Sequence, residues 1–304
     1  MCLGDGCEKV SEGRRSFLGG VFGALAASAL AAKVFGRQQQ QPPPKPAASL
    51  EPLALSDPNV VQGDFTFKGS GGAGMRAYLA RPKAPGRHRA VVIFSPNPGV
   101  TDDLRNTAAQ LARGGFLALA FDPYSRDAPL TANQARERFD YFGSRAFDEL
   151  TRRDMTAGLE YLRRQPFFRR GTFGAMGFCG GARQALVFST TNAEVGAVVA
   201  FYAPPVLGAP YQSPRGPFKL DVMDVLDRIR VPVQYHYGTA DPFIPAADVE
   251  RMERDLKAQG TPLELFRYEG AAHAFYDFTR PRFHPAAAKL AHARMLEFLR
   301  KHLR

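Results

Sequence analysis

The sequence predicts an α/β fold built on a mostly parallel, doubly wound sheet that is flanked by helices. Short apolar runs such as 90–94 and 116–121 are typical of strands buried on both faces of a parallel sheet. Segments with the apolar spacing of helices separate these runs. Strands that alternate with crossover helices form parallel sheets, and the carboxyl ends of such strands carry the chemistry.

The first 49 residues are predicted to contain an export signal and a linker. Arg14 and Arg15 precede a Gly/Ala-rich apolar run, 17–32, which is the layout of a twin-arginine export signal, so we assign 1–36 to a signal segment. This run is shorter than the roughly 20 residues that span a bilayer, which favours export, with an uncleaved anchor as the alternative. Residues 37–49, rich in Gln and Pro, are predicted to form an extended linker before one folded domain, 50–304.

Strands and helices alternate along this domain. The first two predicted strands, 60–68 and 75–81, are joined by a glycine-rich stretch, 69–74, that matches a dinucleotide-binding motif. The segment after it alternates like a strand, so we predict a flexible hairpin loop. The other predicted strands are 90–94, 116–121, 172–177, 196–201, 233–237 and 263–268. The predicted helices are 102–113, 146–164, 182–188, 223–229, 246–258 and 285–303.

Cys179 lies where a predicted strand turns into a predicted helix. The spacing Gly177-x-Cys179-x-Gly181 is that of a nucleophile elbow, in which small flanking residues allow a sharp turn that exposes the central side chain. At the first turn of a helix, backbone N–H groups and the helix dipole would lower the pKa of this thiol. The alternative is a tight turn with a small buried thiol.

Two later loops offer the partners that a thiol nucleophile needs. Asp241 follows the predicted strand 233–237, and His273 follows 263–268, so nucleophile, acid and histidine come in the order of α/β-hydrolase triads. His236 lies inside a strand and is interpreted as a packed residue.

Composition narrows the range of partners. The net charge is +11, and the arginines are spread along the chain. The sequence contains no nucleic-acid-binding motif and no spacing typical of metal ligands, so we expect the protein to bind no nucleic acid, metal or cofactor. Besides Cys179, the cysteines are Cys2 and Cys7 in the predicted signal segment. Removal of that segment would leave Cys179 without a disulfide partner.

From about residue 60 to its C terminus, the chain resembles the dienelactone hydrolase family of α/β-hydrolases. The resemblance rests on the elbow and on the segments 237–245 and 268–275. It implies that Cys179 is the nucleophile, His273 the base and Asp241 the acid.

The resemblance also concerns the groups around the substrate. It implies that the backbone N–H groups of Gly180 and Asn97 form the oxyanion hole. Side chains that we expect near the substrate are Arg136, Tyr141, Phe178 and Phe243.

The sequence departs from the family pattern in two places near the site. Pro96 stands where family members carry a glutamate that holds and activates the thiol, and Asp277 stands where they carry an arginine that grips the substrate carboxylate. Arg280 or Arg282 could replace that arginine. Thiol activation would then depend on His273 and the helix dipole.

We therefore expect a hydrolase that cleaves a carboxylic ester or lactone through an acyl-cysteine intermediate. It would act without a cofactor, as a monomer, in the periplasm or outside the cell, with membrane contact only through an uncleaved leader. The alternatives are a hydrolase of thioesters or acyl-peptides, and a non-catalytic scaffold that binds a ligand or partner.

Overall fold

The computed structural model of the protein describes residues 56–126, 145–205 and 222–303. All of them belong to the second of the two units into which the chain divides, Pro43–Arg304. The predicted signal segment and linker, Arg136 and Tyr141 lie outside the described residues.

One sheet of eight strands is the centre of the fold. The strands are β1 (Val60–Lys68), β2 (Gly74–Pro82), β3 (Ala90–Phe94), β4 (Leu117–Phe121), β5 (Phe173–Phe178), β6 (Val195–Phe201), β7 (Val233–Gly238) and β8 (Leu263–Tyr268). Their order is β1-β2-β4-β3-β5-β6-β7-β8. Strands β3 to β8 run parallel to one another, and β2 runs antiparallel to both of its neighbours, β1 and β4. The predicted fold class is thus confirmed.

The first two strands form the predicted hairpin. They pair antiparallel over their whole length, and a short 3₁₀ turn, Ser70–Gly72, connects them. Gly71 and Gly72 both have positive φ, which suits residues without a side chain. The Gly-x-Gly-x-x-Gly match therefore serves a turn between strands.

Five α-helices accompany the sheet in the described part of the chain. They are α1 (Asp102–Arg113), α2 (Arg145–Arg163), α3 (Gly180–Ser189), α4 (Ala246–Ala258) and α5 (Pro285–His302). Within the described ranges, no helix has both the length and the apolar content needed to cross a bilayer.

One helix prediction is wrong. Residues 223–229 do not form an α-helix but two 3₁₀ turns, Val222–Asp224 and Leu226–Arg228. Val225 between them has φ −127° and ψ 5°, which interrupts helical geometry. The apolar spacing that suggested a helix instead packs Val222, Val225 and Ile229 into the core.

The helices cover both faces of the sheet. On β5, Phe173 packs against Phe188 of α3, whereas a Cβ at Gly174 would lie 3.0 Å from Leu299 of α5. Because successive strand residues point to opposite faces, α3 and α5 lie on opposite sides. This layering buries β3, β4 and β5 completely and explains their continuous apolar runs.

The topology gathers several loops at one edge of the sheet. The chain moves from β3 outward to β4 and then returns to β5 on the other side of β3, so a switch in strand order lies between β3 and β5. Ligands bind at such switch points, outside the carboxyl ends of the strands. Because β3 to β8 are parallel, the loops after all six of these strands emerge at this edge.

Candidate active site

Cys179 lies on a sharp turn between β5 and α3. Its backbone φ is 54°, in the left-handed region that residues with a side chain seldom adopt. Its N–H donates to the carbonyl of Phe201 at 3.0 Å, and its carbonyl accepts from the N–H of Ala182 at 3.0 Å. The end of β6 and the first turn of α3 therefore hold the strained turn from both sides, and the thiol is partly exposed.

Two glycines allow this turn because other backbone atoms come very close. A Cβ at Gly177 would lie 2.5 Å from C and O of Gly181. A Cβ at Gly181 would lie 2.4 Å from the carbonyl oxygens of Phe94 and Ser95. Backbone atoms in a packed interior cannot move aside easily. The Gly-x-Cys-x-Gly spacing is thus a packing requirement where α3 meets the ends of β3 and β5.

Asp241 and His273 come from two loops that touch each other after β7 and β8. The N–H of Ala240 donates to the carbonyl of Ala271 at 3.0 Å. A Cβ at Gly238 would lie 2.3 Å from the oxygen of Ala271, so a larger residue there would push the loops apart. Close contact between the loops brings the two side chains together.

Asp241 fixes the orientation of the His273 imidazole. Asp241 Oδ2 lies 2.7 Å from His273 Nδ1, and the Asp241 side chain is fully buried. Its Oδ1 accepts from the N–H of Phe243 at 2.9 Å. The rings of Tyr202 and Phe243 flank the imidazole, with centroid distances of 5.0 and 5.2 Å. A carboxylate accepts hydrogen bonds only, so Nδ1 carries a proton and Nε2 is free for another group.

Cys179 and His273 shift each other's pKa in opposite directions. Burial raises the pKa of the Cys179 thiol, but the charge and hydrogen bond of His273, together with the N–H of Gly180, lower it below its ordinary value. Burial lowers the pKa of His273, but the Cys179 charge and the hydrogen bonds to Asp241 and Cys179 raise it above its ordinary value. Both shifts favour a thiolate–imidazolium pair.

The thiol and the imidazole open into one cavity of about 560 Å³. Pockets of this size hold small molecules. Other polar residues that line it are Asn97, Thr101, Asp103, Tyr202, Asp277, Arg280 and Arg282.

Of the two predicted oxyanion-hole residues, Asn97 lines this cavity and Gly180 lies next to Cys179. Gly180 begins α3, and its N–H hydrogen-bonds the Cys179 sulfur. Asn97 follows β3 and lines the cavity, and its Oδ1 accepts from the Tyr124 hydroxyl at 2.9 Å. The role of these N–H groups in binding an oxyanion stays a prediction.

The residues expected near the substrate have different positions. Phe178 lines the cavity, and Phe243 packs edge-on against the His273 ring. Arg136 and Tyr141 fall outside the described residues, so their contact with substrate stays a prediction.

The departures from the family pattern also lie at the cavity. Pro96 lines it and offers no carboxyl group to the thiol. Asp277 lines it as well and accepts a 3.4 Å hydrogen bond from Arg280 Nε. Arg280 and Arg282 are both exposed lining residues, so both replacement arginines reach the cavity.

Sequence reasoning missed several residues of the site. Asp103 falls at the start of the predicted helix 102–113 and was given no role in the site, yet it is buried in the cavity wall. Tyr202 and Ala274 also line the cavity and have φ of 40° and 64°. The signal for Tyr202 was its position directly after β6, at the carboxyl edge of the sheet, whereas the sequence carried no comparable signal for Asp103.

The described part of the chain offers no set of side chains that could bind a metal ion. No group of three or more His, Cys, Asp or Glu side chains there is arranged to hold a metal ion.

Comparisons with known proteins point to one family. Residues 75–303 match the dienelactone hydrolase family. A Bradyrhizobium protein provisionally named 2-oxo-3-(5-oxofuran-2-ylidene)propanoate lactonase is 30% identical over 240 residues, which cover 79% of this chain and 94% of that protein. An Escherichia coli protein provisionally named carboxymethylenebutenolidase is 30% identical over 267 residues, which cover 84% and 94%.

A solved structure agrees with this grouping. The crystal structure of a protein described provisionally as a dienelactone hydrolase, from Klebsiella pneumoniae, superimposes with a TM-score of 0.70 at 27% identity. The match covers 80% of this chain and 99% of that one.

Proposed function

Because the chain belongs to the dienelactone hydrolase family, we propose that it hydrolyses a carboxylic ester or lactone with Cys179 as the nucleophile. The observation that carries the proposal is that Cys179 and the His273–Asp241 pair meet at one cavity. The names of the two relatives, a lactonase and a butenolidase, support lactones as one substrate class.

The first half-reaction acylates the thiol. The Cys179 thiolate attacks the carbonyl carbon, and the carbonyl oxygen becomes an oxyanion that the N–H groups of Gly180 and Asn97 stabilise. When the tetrahedral intermediate collapses, the C–O bond to the leaving group breaks. The imidazolium of His273 protonates the departing alkoxide, which leaves an acyl-cysteine and a neutral imidazole. In a lactone the alcohol stays tethered to the acyl group.

The second half-reaction releases the acid. Neutral His273 takes a proton from a water molecule as the water oxygen attacks the thioester carbon. The C–S bond then breaks, and the thiolate leaves beside the regenerated imidazolium. Asp241 stays ionised throughout, holds the imidazole with Nε2 towards the thiol and stabilises its positive charge.

This chemistry does not need the family glutamate. The mutual pKa shifts of Cys179 and His273 already favour the thiolate, and the start of α3 adds its dipole. With Pro96 and Asp277 in place of the family residues, the substrate need not be a dienelactone. Activated esters, simple lactones and thioesters are therefore the appropriate first panel.

The test compares wild type with Cys179→Ala on this panel. Ser189→Ala is a matched control, because it changes a small side chain at the other end of α3. We expect Cys179→Ala to abolish turnover while thermal unfolding changes little, since the thiol is partly exposed. Unchanged hydrolysis by Cys179→Ala would refute the nucleophile. A wild-type protein that turns over no acyl substrate would instead support a binding scaffold.

We also propose that the protein is exported and acts as a monomer. The support for export is the sequence around Arg14 and Arg15 alone. Cell fractionation should find wild type outside the cytoplasm and the double variant Arg14→Lys/Arg15→Lys retained inside. Light scattering on the purified chain should give the monomer mass.

A further inference from the structure

A group of cations lies at the edge of the sheet opposite the cavity. The amino ends of β3 to β8 meet at this edge, and the end of β2 joins them because Ala80 pairs with Ala118 at the start of β4. Six basic side chains come from the end of β2, the start of β3 and the segment before β5. They are Arg81, Lys83, Arg87, Arg89, Arg169 and Arg170, and we call them the basic surface.

Two short segments bring four of these arginines together. The N–H of His88 donates to the carbonyl of Phe167 at 2.8 Å, and the N–H of Arg169 donates to the carbonyl of His88 at 2.9 Å. Residues 87–89 and 167–170 thus lie side by side just before β3 and β5, which are neighbours in the sheet. Backbone hydrogen bonds therefore hold these arginines on one part of the edge.

Side-chain contacts add to this cluster. Arg89 Nη1 donates to the carbonyl of Arg170 at 3.4 Å. The Arg81 guanidinium lies 4.7 Å from the centroid of the Phe167 ring, which is a cation–π distance. Burial and then the charge of Arg169 lower the pKa of Arg89, and the second of these effects is that of two cations close together.

The basic surface keeps its positive charge. Among the residues that the structure describes, none of its six side chains forms an ion pair with an acidic group. Those that are exposed are Lys83, Arg87, Arg169 and Arg170. Four acidic side chains along the same edge are already paired, Asp57 with Arg113, Glu160 and Glu194 with Arg163, and Glu264 with Lys301. Unpaired cations on one edge create a field that favours an anionic partner.

The folded domain is joined to the predicted leader at the same edge. The N–H of Lys83 donates to the carbonyl of Asn59, one residue before β1, at 2.8 Å. The predicted signal segment and linker precede this point in the sequence. A leader that stays in a membrane is therefore attached to the domain beside the basic surface, whereas the Cys179 cavity lies at the other edge.

We propose that the basic surface docks the domain on a membrane that carries anionic phospholipids, with the Cys179 cavity turned away from the bilayer. An anionic leaflet presents many phosphate groups side by side, which suits cations drawn from three neighbouring segments, and each Lys or Arg near the leaflet adds to the attraction. Guanidinium groups suit phosphate oxygens because they donate two hydrogen bonds at once. This contact adds to that of any leader and does not depend on the proposed hydrolysis.

The test measures binding of the full chain to lipid vesicles by sedimentation. One set of vesicles contains equal parts of phosphatidylglycerol and phosphatidylcholine, and the other contains phosphatidylcholine alone. The test variant is Arg87→Gln/Arg169→Gln/Arg170→Gln. Its matched control, Arg153→Gln/Arg251→Gln/Lys289→Gln, loses the same charge at exposed positions of α2, α4 and α5. Wild type and both variants keep the same leader, so differences between them report on the domain.

Wild type should bind the anionic vesicles and lose that binding as salt is raised, because salt screens exposed charges. The test variant should bind them about 100-fold more weakly, the effect expected for three charges near the leaflet, with an unchanged midpoint of thermal unfolding. The control variant should bind like wild type. Equal binding of wild type to both kinds of vesicle, an equal loss in both variants, or wild-type binding by the test variant would overturn the proposal. Tighter binding to duplex DNA than to the anionic vesicles would overturn it as well.

Discussion

Replacing Asp241 by asparagine tests how the imidazole controls the thiol. The Asp241 side chain is fully buried, and each of its oxygens has one donor, Nδ1 of His273 at 2.7 Å and the N–H of Phe243 at 2.9 Å. Asparagine has almost the same shape and keeps one acceptor oxygen. If that oxygen stays with Phe243, the new NH₂ group faces Nδ1 of His273, where two donors meet.

The conflict is relieved when the histidine changes its tautomer. Nδ1 then accepts from the asparagine, and Nε2 carries the proton and cannot take one from Cys179. The same change in a serine triad lowers kcat about 10⁴-fold by this mechanism. A thiol ionises more readily than a hydroxyl, so we expect a loss of about 10² to 10⁴ in kcat/KM for Asp241→Asn. The stability cost should stay near 1–3 kcal/mol, which is typical of one poorly satisfied buried group.

The assay combines ester hydrolysis with the pH dependence of thiol alkylation. Asp241→Asn should raise the apparent pKa of Cys179 as it lowers turnover, because a neutral imidazole no longer stabilises the thiolate. Asp227→Asn, an exposed aspartate on a 3₁₀ turn, is the matched control and should behave as wild type. An Asp241→Asn protein with unchanged turnover and an unchanged alkylation profile would refute this reasoning.

Three further outcomes follow from the geometry. Because the pKa of Cys179 is lowered, its alkylation by iodoacetamide should have a pH midpoint below the ~8.5 of a free thiol. Ester hydrolysis should decline at high pH, where His273 loses its proton. The alkylation profile of an ordinary thiol would contradict the thiolate–imidazolium pair. Gly181→Ala should lower the free energy of unfolding by about 3 kcal/mol or more, because its Cβ clashes with backbone atoms. Gly63→Ala is the control and should be tolerated, because a Cβ there meets nothing within 4 Å. Equal denaturant midpoints for the two variants would count against the packing requirement. Arg183→Ala should cost about 3–5 kcal/mol, because it leaves the buried carboxylate of Asp148 without its ion pair, and chemical denaturation measures this directly.

The sequence was sufficient for the parts of the fold that depend on local pattern. Continuous apolar runs mark β3 and β4 because both faces of these strands are covered, and the structure places them within a residue of the predicted ends. The helix predicted over residues 223–229 is wrong because the apolar spacing of so short a segment fits α-helical and 3₁₀ turns equally well. The dihedral angles of Val225, which decide between them, cannot be read from the pattern.

The residues of the candidate site also differ in whether the sequence pattern predicts them. Cys179, Asp241 and His273 could be proposed because each follows a strand, and parallel strands end at the same edge. Asp103 could not be proposed from the sequence, because its burial depends on how α1 and the loop after β8 pack over the cavity. The reach of Arg280 and Arg282 is likewise a property of loop conformation, which the spacing from His273 does not encode.

The most direct test of the account is to look for the acyl-cysteine during turnover. The purified protein is mixed with excess 4-nitrophenyl acetate, quenched with acid within the first turnovers and analysed by intact mass and peptide mapping. We expect one acetyl group per chain, located on Cys179 and absent from Cys179→Ala. Turnover without any acetyl group on Cys179, or with the group on another residue, would contradict it.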